Sequence, residues 1–197
     1  MTGRSTAAAL ALAGLAACAT AGGRSRTFDA TRLEAEPGWV QAAPTPAVRQ
    51  QGASDCGAAA LAMIAGRWQV PLSLDDAAAA LPEVAPQGTR LGDLRDLART
   101  QGLQAFAIAA DRQTLLHELG AGRPVIVGLH VPAGSGRALR HYEVLVAAHP
   151  VEDRFVTLDP GSGWRVRSWS ELEAEWLPAG HPALVVVGRD GGAAPRG

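Results

Sequence analysis

The chain has 197 residues, 47% of them apolar, with a formal net charge of −1. That length suits one domain with short appendages, and the even charge leaves no basic footprint for nucleic acid and no field for an acidic partner. All 18 Lys and Arg residues are arginine, as a GC-rich genome produces, and the only cysteines are Cys18 and Cys56.

Arg4 and the amino terminus make a positive n-region, and Ala7 to Ala17 is an apolar run of eleven residues. A membrane-spanning helix needs about 20 residues, so the run reads as a signal-peptide h-region. Leu15-Ala16-Ala17-Cys18 follows and resembles the lipobox of bacterial lipoproteins. The resemblance implies a signal peptide over 1–17, cleavage before Cys18 and diacylglycerol on its sulfur. An ordinary secretory signal cut after an Ala-x-Ala site is the other reading. Ala19, in place of aspartate, implies the outer membrane, facing the periplasm. Cys56 is then the only free thiol, in an oxidising compartment.

Residues 18–43 are small or polar, with Gly22-Gly23 and Pro37-Gly38, and read as a tether to a domain over 44–188. Asp55 to Trp68 is a predicted helix with Ser54 or Asp55 as N-cap. A short alanine helix follows over Asp75 to Leu81, where Ser73 and Asp76 have capping-box spacing, and Pro82 and Pro86 close it. From Thr89 a third helix carries Leu91, Leu94, Leu97 and Ala98 on one face and ends at Gly102. Gln104 to Ala109 reads as a strand, and Gln113 to Leu119 as a helix.

Strands dominate after Pro124. Val125 to Val131 is a buried run, Gly134-Ser135-Gly136 a turn, and His141 to Val146 and Arg154 to Leu158 two more strands. Trp164 to Val166 pairs as a further edge, Ser168 to Trp176 is a helix, Ala183 to Val187 a last strand, and 189–197 a flexible tail. Helices first and strands later argue an α+β fold with an antiparallel sheet.

Cys56 opens the first firm helix. A thiolate there sits beside unpaired N–H groups at the positive end of the macrodipole. Gln50, six residues upstream, offers a side-chain N–H to a developing oxyanion. A cysteine nucleophile also needs a base and an orienting group. His117 lies on a helix surface, His130 closes a strand, and His149 and His181 sit in turns; His141 opens a strand after a glycine loop. Glu143 points to the same face as His141 and competes for the acid role. Glu152 and Asp153 are turn formers. Asp159 ends the next strand, so a hairpin of 141–146 with 154–158 brings it opposite His141. Asp159-Pro160-Gly161 is also a common turn. The cysteines and histidines are scattered, without metal-ligand spacing, so no metal and no cofactor is expected.

Gln50, Asp55-Cys56-Gly57, the Met63-Ile64 pair, His141-Tyr142-Glu143-Val144-Leu145 and Leu158-Asp159-Pro160 together resemble the bacteriocin-processing, double-glycine peptidase family. The resemblance implies a papain-like cysteine peptidase fold, with an N-terminal helical lobe and a C-terminal antiparallel sheet. It implies Cys56 as nucleophile, His141 as base and then acid, Asp159 as the residue orienting the imidazole, and Gln50 with the Cys56 N–H as oxyanion hole. Substrates of the family are peptides cut after two small residues, usually Gly-Gly. The chain departs from the transporter-borne members in carrying a lipoprotein signal and no Walker-type Gly-x-x-x-x-Gly-Lys. The expected partners are therefore a cell-envelope peptide or protein and, through Cys18, a membrane. Two alternatives keep the fold: a module that binds peptides without cutting, and an acyl or peptidyl transferase.

Overall fold

The apolar runs of the second half pair as one sheet in a computed structural model that describes residues 24–82, 89–132 and 137–188. Residues 1–17, Cys18, Pro86, the Gly134-Ser135-Gly136 turn and the tail 189–197 lie outside the described residues. The strands are β1 (Arg26–Thr27), β2 (Val40–Gln41), β3 (Gln104–Ala109), β4 (Val125–Pro132), β5 (Ala138–His149), β6 (Arg154–Asp159), β7 (Gly163–Arg167) and β8 (Pro182–Val187). Their order is β1-β7-β6-β5-β4-β8-β3, and β2 pairs with β5. Each pairing is antiparallel.

The helices are α1 (Arg32–Ala35), α2 (Cys56–Arg67), α3 (Leu74–Ala80), α4 (Leu91–Thr100), α5 (Arg112–Gly120) and α6 (Trp169–Trp176). They cover both sheet faces. One core joins α2, α3 and α4 to Ile126, Val144, Leu158 and Leu184; the other joins α5 and α6 to Val125, Val127, Leu145 and Phe155. Two buried faces explain why Val125 to Val131 reads as an unbroken apolar run. Burial encloses α2 almost all round, and alanine at five of its twelve positions lets its neighbours approach closely. Ser73 caps α3 through the Asp76 N–H at 3.0 Å, and Ser168 with Glu171 forms a full capping box on α6. No helix among the described residues is long and apolar enough to cross a membrane.

Three features differ from the sequence reading. First, β5 runs from Ala138 to His149. Beyond Leu145, the last residue paired with β4 through Val125, it bulges and takes β2 as its neighbour instead. His149 is thus a buried strand residue whose Nε2 bonds the Pro37 carbonyl at 3.0 Å, not a turn residue. Second, β7 is not the edge, because β1 pairs outside it. Third, the part of the expected tether from 24 to 43 is an arm folded onto the domain. Phe28 is 5% exposed, and Trp39 packs edge-on against Phe28 and His149, with Arg154 over its ring at 4.6 Å. Two-residue strands carry no alternation to read, whereas two aromatics are enough to dock the segment. Gly38, at φ 94°, passes so close that a Cβ would meet His149 Nε2 at 2.5 Å.

Candidate active site

Cys56 begins α2, is 8% exposed and forms no disulfide. Asp55 stands at the N-cap position but does not cap the helix. Its φ of −88° and ψ of 3° lie away from the extended backbone that aims a capping oxygen at the first turn. Its carboxylate instead accepts the Gly52 N–H at 2.7 Å, and a Cβ on Gly52 would meet that oxygen at 2.9 Å. The first N–H groups of α2 therefore have no side-chain acceptor.

His141 and Asp159 meet as the hairpin argument requires. Val144 pairs with Leu158, so Asp159, at the end of β6, comes level with Glu143 and one diagonal step from His141 on the same face. His141 Nε2 is 2.8 Å from Asp159 Oδ1. A carboxylate acceptor fixes the ring proton on Nε2 and leaves Nδ1 bare in the neutral ring. Nδ1 is then the nitrogen left for the Cys56 thiol, whose interaction with the ring raises the His141 pKa. Asp159 is held in turn by the Gly161 N–H at 2.7 Å and by the Ser162 hydroxyl. The Asp-Pro-Gly turn and the acid role are thus one structure.

Gln50 joins the same turn. Its backbone N–H donates to the Pro160 carbonyl at 3.0 Å, and Arg49 bonds the Gly161 carbonyl at 2.7 Å. Its carboxamide Nε2 donates to the Gly52 carbonyl at 3.0 Å, within the loop leading to Cys56. One amide hydrogen remains uncommitted. The other histidines stand apart: His117 is exposed on α5, His149 holds Pro37, and His181 pairs with Glu173 at 2.8 Å.

Glu143 is fully engaged elsewhere, which resolves its competition with Asp159. Both its oxygens bind Arg167, at 2.9 and 2.7 Å, and Thr157 also donates to it. Arg167, 1% exposed, lies 3.4 Å from Glu175 Oε2 as well. This buried cluster behind the histidine escaped the sequence reading. Arg167 is 24 residues from Glu143, and no local pattern marks it. His141, Glu143 and Asp159 are close enough to share a metal ion, but their donors are spent. A cation there would face the Arg167 guanidinium and compete with the imidazole for Asp159.

Burial penalises the His141 imidazolium, but bonds to Asp159 and Cys56 and the Glu143 charge outweigh it and push the pKa up to about 10. Burial likewise opposes the Asp159 carboxylate, yet the bond to His141 and the donors of its turn bring it down to about 2. His141 lies above its ordinary 6.5, so its contribution to stability is complete below about pH 6.5 and is lost as pH rises through about 10. Asp159 contributes above its ordinary 3.8, and that contribution is lost as pH falls through about 2. An NMR titration of the His141 ring is expected to find it still charged at pH 8. In Asp159→Ala the midpoint should fall sharply, because burial then meets less opposition. A midpoint unchanged by that substitution would contradict this electrostatic picture.

A buried thiol, an imidazole and a carboxylate in series, beside an uncapped helix end, define the site of a cysteine hydrolase on a papain-like fold. Residues 44–180 match the peptidase C39 family. The chain belongs to that family and is a cysteine peptidase. The peptidase domain of Streptococcus ComA, a bi-functional ABC transporter involved in a quorum sensing pathway, is 26% identical, with a TM-score of 0.58 over 72% of this chain and 97% of its own. A double glycine motif protease from an AMS/PCAT transporter, solved with its leader peptide, is 20% identical, with a TM-score of 0.59 over 74% and 93%. A C39-like peptidase from Bacillus anthracis is 16% identical, with a TM-score of 0.62 over 73% and 94%. No curated protein matches the chain in sequence.

Proposed function

We infer that the chain is an endopeptidase of the double-glycine type, cutting a cell-envelope peptide or protein after small residues. The observation that carries this is the Cys56–His141–Asp159 series within a C39 domain. The leader peptide bound by the AMS/PCAT protease and the likeness to ComA support the substrate class. In this reading the Cys56 proton already rests on His141 Nδ1, and the thiolate of that ion pair attacks the scissile carbonyl. The oxyanion meets the Cys56 N–H and the spare Gln50 amide hydrogen, a contact worth roughly 3 kcal/mol per donor. His141 then protonates the leaving amine and activates the water that cleaves the thioester, while Asp159 holds the ring.

The lipobox-like Leu15-Ala16-Ala17-Cys18 supports a lipid anchor on Cys18 and a place at the outer membrane, facing the periplasm. Fatty-acid labelling of cells is expected to mark the wild type and to be lost in Cys18→Ala; equal labelling would contradict the anchor. The specificity is tested with a synthetic leader peptide ending in Gly-Gly. Valine in place of the second glycine is expected to lower kcat/KM on the order of 100-fold, the upper range of steric discrimination in a tight pocket. Equal turnover of the two peptides would overturn the double-glycine reading.

A further inference from the structure

Arg67 is a buried cation that no acid among the described residues neutralises. It ends α2, which Cys56 begins, so the helix rise sets the two about 16 Å apart. The residue is 8% exposed. Its Nη2 donates to the Gly122 carbonyl at 3.2 Å, but that oxygen also accepts the Ala43 N–H at 3.1 Å. Its Nε is buried without a hydrogen-bond partner, and its guanidinium carbon stands 4.5 Å from the Trp68 ring centroid. A shared carbonyl and a ring face ease the charge without cancelling it. Burial alone draws the group's pKa below its ordinary value, with no carboxylate opposing it. Arg167 is the contrast: it is as deeply placed, but Glu143 and Glu175 answer it. A buried guanidinium is costly unless a counter-charge meets it.

The guanidinium stands at a cavity of about 740 Å³, a volume within the usual range of small-molecule sites. Gly122, its hydrogen-bond partner, lines the cavity with it. Leu33 of α1, Val146 and Trp164 give apolar wall. Glu34 also lines the space, but it is exposed on α1, where solvent and salt screen its charge. The arm that Phe28 and Trp39 dock onto the domain therefore encloses room beside Arg67 and supplies no counter-ion for it. We propose that this cavity binds a monocarboxylate with an apolar body, its carboxylate on the Arg67 guanidinium and its body against Leu33, Val146 and Trp164. A carboxylate matches the donor fork of a guanidinium. One arginine balances one negative charge, whereas a phosphate would bring a second, unanswered charge between apolar walls. A fatty acid and the C-terminus of a short apolar peptide share this chemistry, and the test separates them. The site lies at the opposite end of α2 from the hydrolytic series, so it stands whatever substrate Cys56 cuts.

Calorimetric titration of the whole chain with octanoate and with N-acetyl-dileucine tests it, each beside its uncharged amide. At least one carboxylate is expected to bind at a single site, about tenfold tighter than its amide, as a hydrogen-bonded charge requires. Binding of octanoate alone assigns the site to a fatty acid, binding of the dipeptide alone to a peptide terminus, and binding of both to the shared chemistry. Arg67→Met should weaken the carboxylate about tenfold and bring it level with the amide, while Arg67→Lys should keep part of the preference. Ala30→Trp fills the cavity from a half-buried position on the arm and should abolish binding of carboxylate and amide alike. If Arg67→Met does not fold, the preference of the wild type for charge and its loss in Ala30→Trp still decide. No binding by either carboxylate, equal affinity for carboxylate and amide, or binding unchanged in Arg67→Met or in Ala30→Trp overturns the proposal.

Discussion

Cys56→Ala should lower kcat/KM for peptide hydrolysis by at least about 10⁴-fold while leaving peptide affinity close to the wild-type value. The thiol supplies the covalent bond of the acyl-enzyme, and Cys56 is the only cysteine among the described residues. His141 interacts with Cys56 on one side and lies 2.8 Å from Asp159 on the other. The donors at the helix end and Gln50 remain in the variant, so some residual rate over water is expected. His141→Ala should cost a similar factor, because a thiol without its base is a poor nucleophile at neutral pH. The double variant should be no worse than either single one, since the two groups act as a unit. Steady-state kinetics with matched calorimetric binding separates the possibilities. Losses that multiply in the double variant would show that the two residues act independently. Turnover that survives Cys56→Ala would remove the chain from cysteine catalysis.

The largest stability effect is expected from Arg167→Ala. The arginine is 1% exposed and holds Glu143 at 2.7 and 2.9 Å, with Glu175 at 3.4 Å. Burial opposes the Glu143 carboxylate, but the guanidinium outweighs it and keeps the group ionised. Removing the guanidinium strands two buried acids, which costs about 3–5 kcal/mol, or roughly 10–15 °C in Tm for a domain of this size. Adding Glu143→Gln to the variant should recover part of that loss, because one stranded charge goes with it. Denaturation curves of the three proteins read this directly. A loss below about 1 kcal/mol for Arg167→Ala would show that the cluster does not hold the sheet to α6.

The parts of the site legible in the sequence are those set by local chemistry. Cys56 at a helix start is readable from Asp55-Cys56-Gly57 and the apolar alanine run. Ser73 and Ser168 announce their helices through capping spacing. The meeting of His141 and Asp159 needed one further step, the pairing of two strands joined by a short turn, and alternation was enough to set it. Glu143 shows where that logic stops. Its face was predictable, but its partner Arg167 is on β7, beyond β6, and depends on the order of strands. Glu175 depends on the packing of α6, and its Arg24 contact spans 151 residues. The arm escaped for a different reason. Its strands have two residues each, and Phe28 and Trp39 dock it by burial rather than by any repeating pattern. Asp55 was misread as a helix cap because residue type suggests a capping role, whereas its backbone angles turn the carboxylate toward Gly52.

An acid-quenched reaction reads the covalent bond that the proposed mechanism forms between Cys56 and the substrate carbonyl. Wild-type enzyme mixed with the Gly-Gly leader peptide and quenched within one turnover is digested and weighed. A thioester carrying the leader's acyl mass is expected on the fragment containing Cys56, and is absent when Cys56 is alanine. Product formed with no adduct on Cys56, or with the adduct on another residue, would contradict it.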